Sequence, residues 1–148
     1  KVWGTLPYPL LLAPNANNSY TIQNESFSLV RPLEFINDRQ MCWDLDYYCK
    51  GWILKKIPLI KKLRLREIVG LSGAMGDLYP KNNPQNNTST FLFPEDTKKM
   101  NRTPYLEMNV GLSNILKVLR VDYIKRLTYL DGENVRKNGV RVSLQLRF

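Results

Sequence analysis

The chain has 148 residues, a net charge of +9 from 22 Lys+Arg against 13 Asp+Glu, two cysteines and no histidine. Lack of histidine rules out a Ser-His-Asp or Cys-His catalytic arrangement and any imidazole metal ligand, and two cysteines are too few for a four-thiolate zinc or iron–sulfur site. A 43% hydrophobic share belongs to a chain that folds or inserts rather than to a disordered tail, and the length suits one domain or a piece of something larger.

The chain opens on Lys1, and Val2-Trp3-Gly4 lacks the charged and apolar layout of a signal peptide, so a processed product or a fragment is expected. No run of about 18 apolar residues is present, so no transmembrane helix is expected. Residues 1–24 read as a loop or lumen segment. Phe27 to Phe35 is a weak strand candidate, because Pro32 restricts its ladder bonding.

Met41 to Lys50 has a two-residue period, with Met41, Trp43, Leu45, Tyr47 and Cys49 on one side and Cys42, Asp44, Asp46, Tyr48 and Lys50 on the other. Ten residues at about 3.3 Å each, tilted about 45°, cover roughly 23 Å, close to the apolar band of an outer-membrane barrel. Cys42 and Cys49 then lie on opposite faces, about 23 Å apart along the strand and out of disulfide reach.

Trp52 to Val69 can be read as a basic amphipathic helix carrying Lys55, Lys56, Lys61, Lys62, Arg64 and Arg66, suited to an anionic surface or nucleic acid. Pro58 would break such a helix, and a connection between two strands is the plainer reading. Leu65 to Met75 is a Gly-rich strand candidate. Asp77 to Thr103 is a long loop rich in Asn, Pro, Thr and Lys, whose Asn-X-Ser/Thr triplets are read as loop polarity.

Tyr105 to Leu112 repeats the alternation, with Leu106, Met108, Val110 and Leu112 opposed to Tyr105, Glu107, Asn109 and Gly111. Val118 to Leu130 sets Leu119, Val121, Tyr123, Leu127 and Tyr129 against Arg120, Asp122, Arg126 and Thr128. Lys125 falls on the apolar side. A lysine facing lipid at mid-depth costs about 2–4 kcal/mol, so an interfacial, snorkelling or bulged position is expected. The last segment alternates Val140, Val142, Leu144, Leu146 and Phe148 with Arg141, Ser143, Gln145 and Arg147.

These strands fit a soluble antiparallel sheet packed on a core, or an outer-membrane barrel with lipid outside and water inside. In the barrel, Met41, Trp43, Leu45, Tyr47, Leu106, Met108, Val110, Val121, Tyr123, Leu127 and Tyr129 face lipid. Asp44, Asp46, Arg66, Glu107, Arg120, Asp122, Arg126, Arg141 and Arg147 face the lumen as a salt-bridge network, a plainer role for Asp44 and Asp46 than a glycosidase pair. With Phe148 at the periplasmic side, residues 77–103 and 131–138 are outer loops and Ser113-Asn114 lies in an inner turn. The basic residues are scattered, so no nucleic-acid partner is expected, and no cofactor or metal is implied.

Further motifs carry a resemblance: Gly4-Thr5-Leu6-Pro7-Tyr8-Pro9-Leu10-Leu11, Asn18-Ser19-Tyr20, Glu34-Phe35 with Asp38, Gly51, Ile57-Pro58-Leu59-Ile60-Lys61-Lys62-Leu63 and Arg66-Glu67. They continue in Pro104-Tyr105-Leu106-Glu107, Gly111, Asn114-Ile115, Arg120-Val121-Asp122-Tyr123, Arg126-Leu127-Thr128-Tyr129 and Phe148. Over its whole length the chain resembles the C-terminal part of Gram-negative, Bacteroides-type outer-membrane proteins with an N-terminal carboxypeptidase-regulatory-like domain. The barrel is more loosely similar to BamA- and TamA-type surface-antigen barrels. The resemblance implies a non-enzymatic protein of the bacterial outer membrane, acting in surface-protein assembly or export or as a channel.

The expected fold is therefore all-β, the last five or six strands of a larger antiparallel transmembrane β-barrel. Its expected partners are outer-membrane lipid, the remaining N-terminal strands and the barrel assembly machinery, which would read Val142, Leu144, Leu146 and Phe148 as an insertion signal. The alternatives are a soluble secreted β-rich binding module and a basic amphipathic protein acting at membrane surfaces or on nucleic acid.

Overall fold

Alternating segments become strands because a pleated backbone sends successive side chains to opposite faces. In the computed structural model they are β1 (Arg39–Tyr48), β2 (Arg66–Asp77), β3 (Tyr105–Ile115), β4 (Leu119–Arg126) and β5 (Asn138–Leu144). The structure describes residues 4–17, 26–49, 52, 54–56, 65–84, 86, 92–100, 102–132 and 134–144. The five strands form one antiparallel meander in the order β1-β2-β3-β4-β5, each paired with its sequence neighbour, and β1 and β5 are the two edges of an open sheet.

Register keeps the sequence parity across the sheet. Leu45 pairs with Leu71, Leu71 with Met108, Met108 with Lys125 and Lys125 with Asn138. A register shift between Leu112 and Ile115 lets β3 turn into β4 through Asn114, Leu116 and Lys117, all at positive φ. β2 ends and β3 begins at the same end of the sheet where β4 ends and β5 begins. The β1-to-β2 and β3-to-β4 links start and finish at the other end.

Three expectations are corrected. Phe27 to Phe35 is not a strand: Ala16–Phe27 and Phe35–Lys98 are isolated bridges, and between them the chain bends across one face of the sheet. β4 stops at Arg126, short of the expected Leu130. A single helix over 52–69 is excluded because Arg66–Val69 belong to β2; a 3-10 turn occupies Leu54–Lys56, and residues 57–64 lie outside the described residues.

Residues 4–17 and 26–38 cover that face. Leu12 and Asn37 exchange both backbone hydrogen bonds, at 2.8 and 2.7 Å, which ties the first stretch to the second. A small core forms beneath them from Phe27, Val30, Phe35, Ala74, Met100 and Tyr105, with Ala16 and Tyr129 packed alongside. Its rings meet edge-on, Phe27 against Tyr105 at 5.5 Å and Phe35 against Tyr129 at 5.0 Å, a preferred aromatic geometry.

Candidate functional site: a charged face covered and an apolar face open

Strand parity and pairing place Met41, Trp43, Leu45 and Tyr47 beside Met75, Gly73, Leu71 and Val69 on the open face. Leu106, Met108, Val110 and Leu112 continue the face on β3, Val121 and Tyr123 on β4, and Val140, Val142 and Leu144 on β5. At its β2 end the Leu54 N–H donates to Glu67 at 2.6 Å and buries that carboxylate, but most of the face is open: Met41 is 67%, Tyr47 72%, Val140 70% and Leu144 74% exposed. Trp43 lies flat across Gly73, where a Cβ would meet the indole at 2.3 Å.

Lys125 also stands on the open face, unbulged and one residue from the end of β4, while its neighbour Ile124 is buried on the covered face. Leu127, just past β4, is 40% exposed. Tyr129 does not continue the row. Its backbone turns to φ 54°, its ring packs on Phe35, and its hydroxyl donates to Thr103 O at 2.6 Å.

The covered face carries the charges. Arg120 donates from Nη1 to Asp46 at 2.8 Å and from Nε to both oxygens of Asp122 at 2.9 and 2.8 Å. Arg141 reaches the same Asp122 at 3.2 Å and the Ser28 hydroxyl at 3.4 Å, while Asn109 donates to Asp46 at 3.3 Å. The carboxylate–guanidinium chain therefore crosses β1, β3, β4 and β5. It fits because the covered face of β2 and β3 is stripped of side chains where it passes: a Cβ on Gly70 would lie 2.3 Å from Asp46 Oδ1, and one on Gly111 1.9 Å from Asp122 Oδ1.

A second cluster clasps the covering segment. Arg126 grips Glu34 with two nitrogens at 2.7 and 3.2 Å, both side chains fully buried, and its third nitrogen donates to Thr128 O at 3.0 Å. The guanidinium lies 4.7 Å from the centre of the Tyr105 ring. The Tyr105 hydroxyl donates to Glu107, which also accepts from the Ser28 and Leu29 backbone N–H groups at 3.1 and 2.8 Å. Asp38 likewise accepts from Tyr79 N–H at 2.8 Å and Asn82 at 3.1 Å.

Of the polar residues singled out from the sequence, Asp46, Arg120, Asp122 and Arg141 meet in one network, and Glu107 and Arg126 in the cluster around Tyr105. Asp44 stands apart, accepting from Ser72 at 2.9 Å, and Arg66 is exposed at the start of β2 with its carbonyl bonded by Ser113. Leu146, Arg147 and Phe148 lie outside the described residues. Sequence reasoning missed Glu34 and Asp38 as network members. The signal available was two acidic residues, Glu34 and Asp38, on either side of the apolar Phe35-Ile36, which burial makes costly unless each is paired. The arrangement fixes buried charge and orders a polar interior. Comparison with protein-family models, with curated proteins and with solved structures gave no match to this chain.

Proposed function

We propose that the chain is a C-terminal five-strand portion of an outer-membrane β-barrel, with the open apolar face in lipid, the charged face lining the lumen and residues 4–17 and 26–38 inside it. The observation that carries this reading is the inverted polarity of the sheet. A sheet in water turns its apolar face to a core and its charges to solvent. Here Arg120, Asp122, Glu34 and Arg126 are buried and paired on the covered side, while large apolar side chains of all five strands stand exposed on the other. Lipid is the solvent for which that arrangement is favourable.

About eight strands are needed to close a barrel, so the open edges of β1 and β5 belong against further strands of the same protein. Strand β5, with Val142 and Leu144 on the lipid side, is the segment offered to the assembly machinery. The family resemblance adds a role in surface-protein assembly or export, or as a channel. Lys125, one residue from the strand end, sits at the level of the lipid head groups, where its cost is small.

Gel electrophoresis of the native protein from membranes, with and without heating, tests this reading. A band well above 17 kDa that shifts on heating is expected. A 17 kDa band that partitions into the aqueous fraction without a heat shift would instead favour a soluble binding module.

A further inference from the structure

We propose that the rim of the open face at the start of β1 is a binding site for a lipid with a phosphate monoester head group; the proposal rests on the barrel reading above. Arg39 and Asp77 are register partners on the open face, immediately above the Met41–Met75 pair. The face thus changes there from apolar to charged within one step of the alternation. A cavity of about 610 Å³ opens at this boundary, and Lys99 and Arg102 of the β2–β3 connection line it together with Arg39, Met41, Met75 and Asp77.

The charge balance selects an anion. Asp77 is engaged by Arg39 at 2.7 Å, while Lys99 and Arg102 are exposed and form no ion pair with a described residue. Two cations without partners beside a third therefore face one neutralised carboxylate. A doubly charged phosphate fits that surplus, because guanidinium and ammonium groups both donate charge-assisted hydrogen bonds to its oxygens. The methionines directly below fix the rest of the ligand. Met41 is 67% and Met75 44% exposed, flexible thioethers against which an acyl chain hanging from the head group would lie. Free phosphate would use the cations alone.

The test is native mass spectrometry of the intact protein in detergent, with phosphatidic acid, phosphatidylcholine or inorganic phosphate added. Wild type is expected to retain phosphatidic acid and not phosphatidylcholine. Retention should fall roughly fivefold for each cation removed, the worth of a basic residue at an anionic lipid surface, and so about 25-fold in Lys99→Gln/Arg102→Gln. Arg136→Gln/Lys137→Gln, with the same charge loss on the β4–β5 connection, should retain it as wild type does.

Equal loss in the two double variants would show general attraction to a basic protein and overturn the site. Retention unchanged in Lys99→Gln/Arg102→Gln would overturn it too, and inorganic phosphate displacing the lipid at equal concentration would overturn the acyl part. The same samples, run unheated and heated on a gel, report the barrel separately. A heat shift without selective lipid retention removes the site alone, and absence of the shift removes the barrel reading on which it rests.

Discussion

Among the described residues Arg126 is the largest side chain that is completely buried, and it is bound to an equally buried Glu34 that lies 92 residues earlier. Removing one partner leaves a charge with no compensation, at a cost of about 3–5 kcal/mol, whereas replacing both partners costs far less. Glu34→Gln should therefore lower the thermal unfolding midpoint of the whole protein more than Glu34→Gln/Arg126→Met does. Equal or additive losses would mean that the pair is not a coupled unit. Glycines give a second contrast. At Gly111 an added methyl meets Asp122 Oδ1 at 1.9 Å and the Val121 carbonyl at 2.7 Å; at Gly139 it meets only the end of Leu29, at 2.8 Å. A leucine tip can swing away and a strand backbone cannot. Gly111→Ala should lower stability by about 1–3 kcal/mol and Gly139→Ala by clearly less, read by the same thermal melt.

At the scale of the element, β1 sets apolar and acidic residues on opposite faces. Leu45 stands mid-strand on the open face and Asp44 beside it on the other, where Ser72 holds it. On the barrel reading, Leu45→Lys costs about 2–4 kcal/mol near mid-depth and reduces the heat-modifiable fraction recovered from membranes, while Asp44→Lys leaves that fraction nearly intact. Equal recovery of both variants would mean that the open face meets water. Four of the five strands could be read from their alternation, because the two-residue period is a direct consequence of the pleat. β2 was the faintest. The covered-face Gly70 and Gly76 and the open-face Gly73 erase its side-chain pattern, and each gives way to a large neighbour: Asn109 with Asp46, Asn37, and Trp43. The covering segment was not legible. Its contacts are carboxylates of distant strands capping its backbone N–H groups, as Glu107 does for Ser28 and Leu29, and no local period records them. Tyr129 was misplaced for a related reason. Extending the alternation past Arg126 ignored the turn in which Tyr129 reaches φ 54°.

At the scale of the whole molecule, the open face and the edges of β1 and β5 leave the described residues with apolar rows and outer strand edges facing solvent. Exposed edges next to apolar rows are templates for further strand pairing. The 148-residue chain should therefore sediment as aggregates in plain buffer and disperse when a mild detergent covers the face. A monodisperse 17 kDa species in buffer would contradict that expectation.

The covering segment also imposes an order of events. Residues 26–38 precede every strand in the chain, yet they are gripped by Glu107 of β3, Arg126 of β4 and Arg141 of β5. Neighbouring strands can zip together through short closures, but these clasps bridge 78 to 113 positions and cannot form until the later strands have arrived. On the barrel reading, a wall that curled shut first would have to admit a charged, folded segment through its end. The filling must therefore wait in place while the wall is laid down around it, strand by strand, so the finished assembly depends on a segment that belongs to none of its strands.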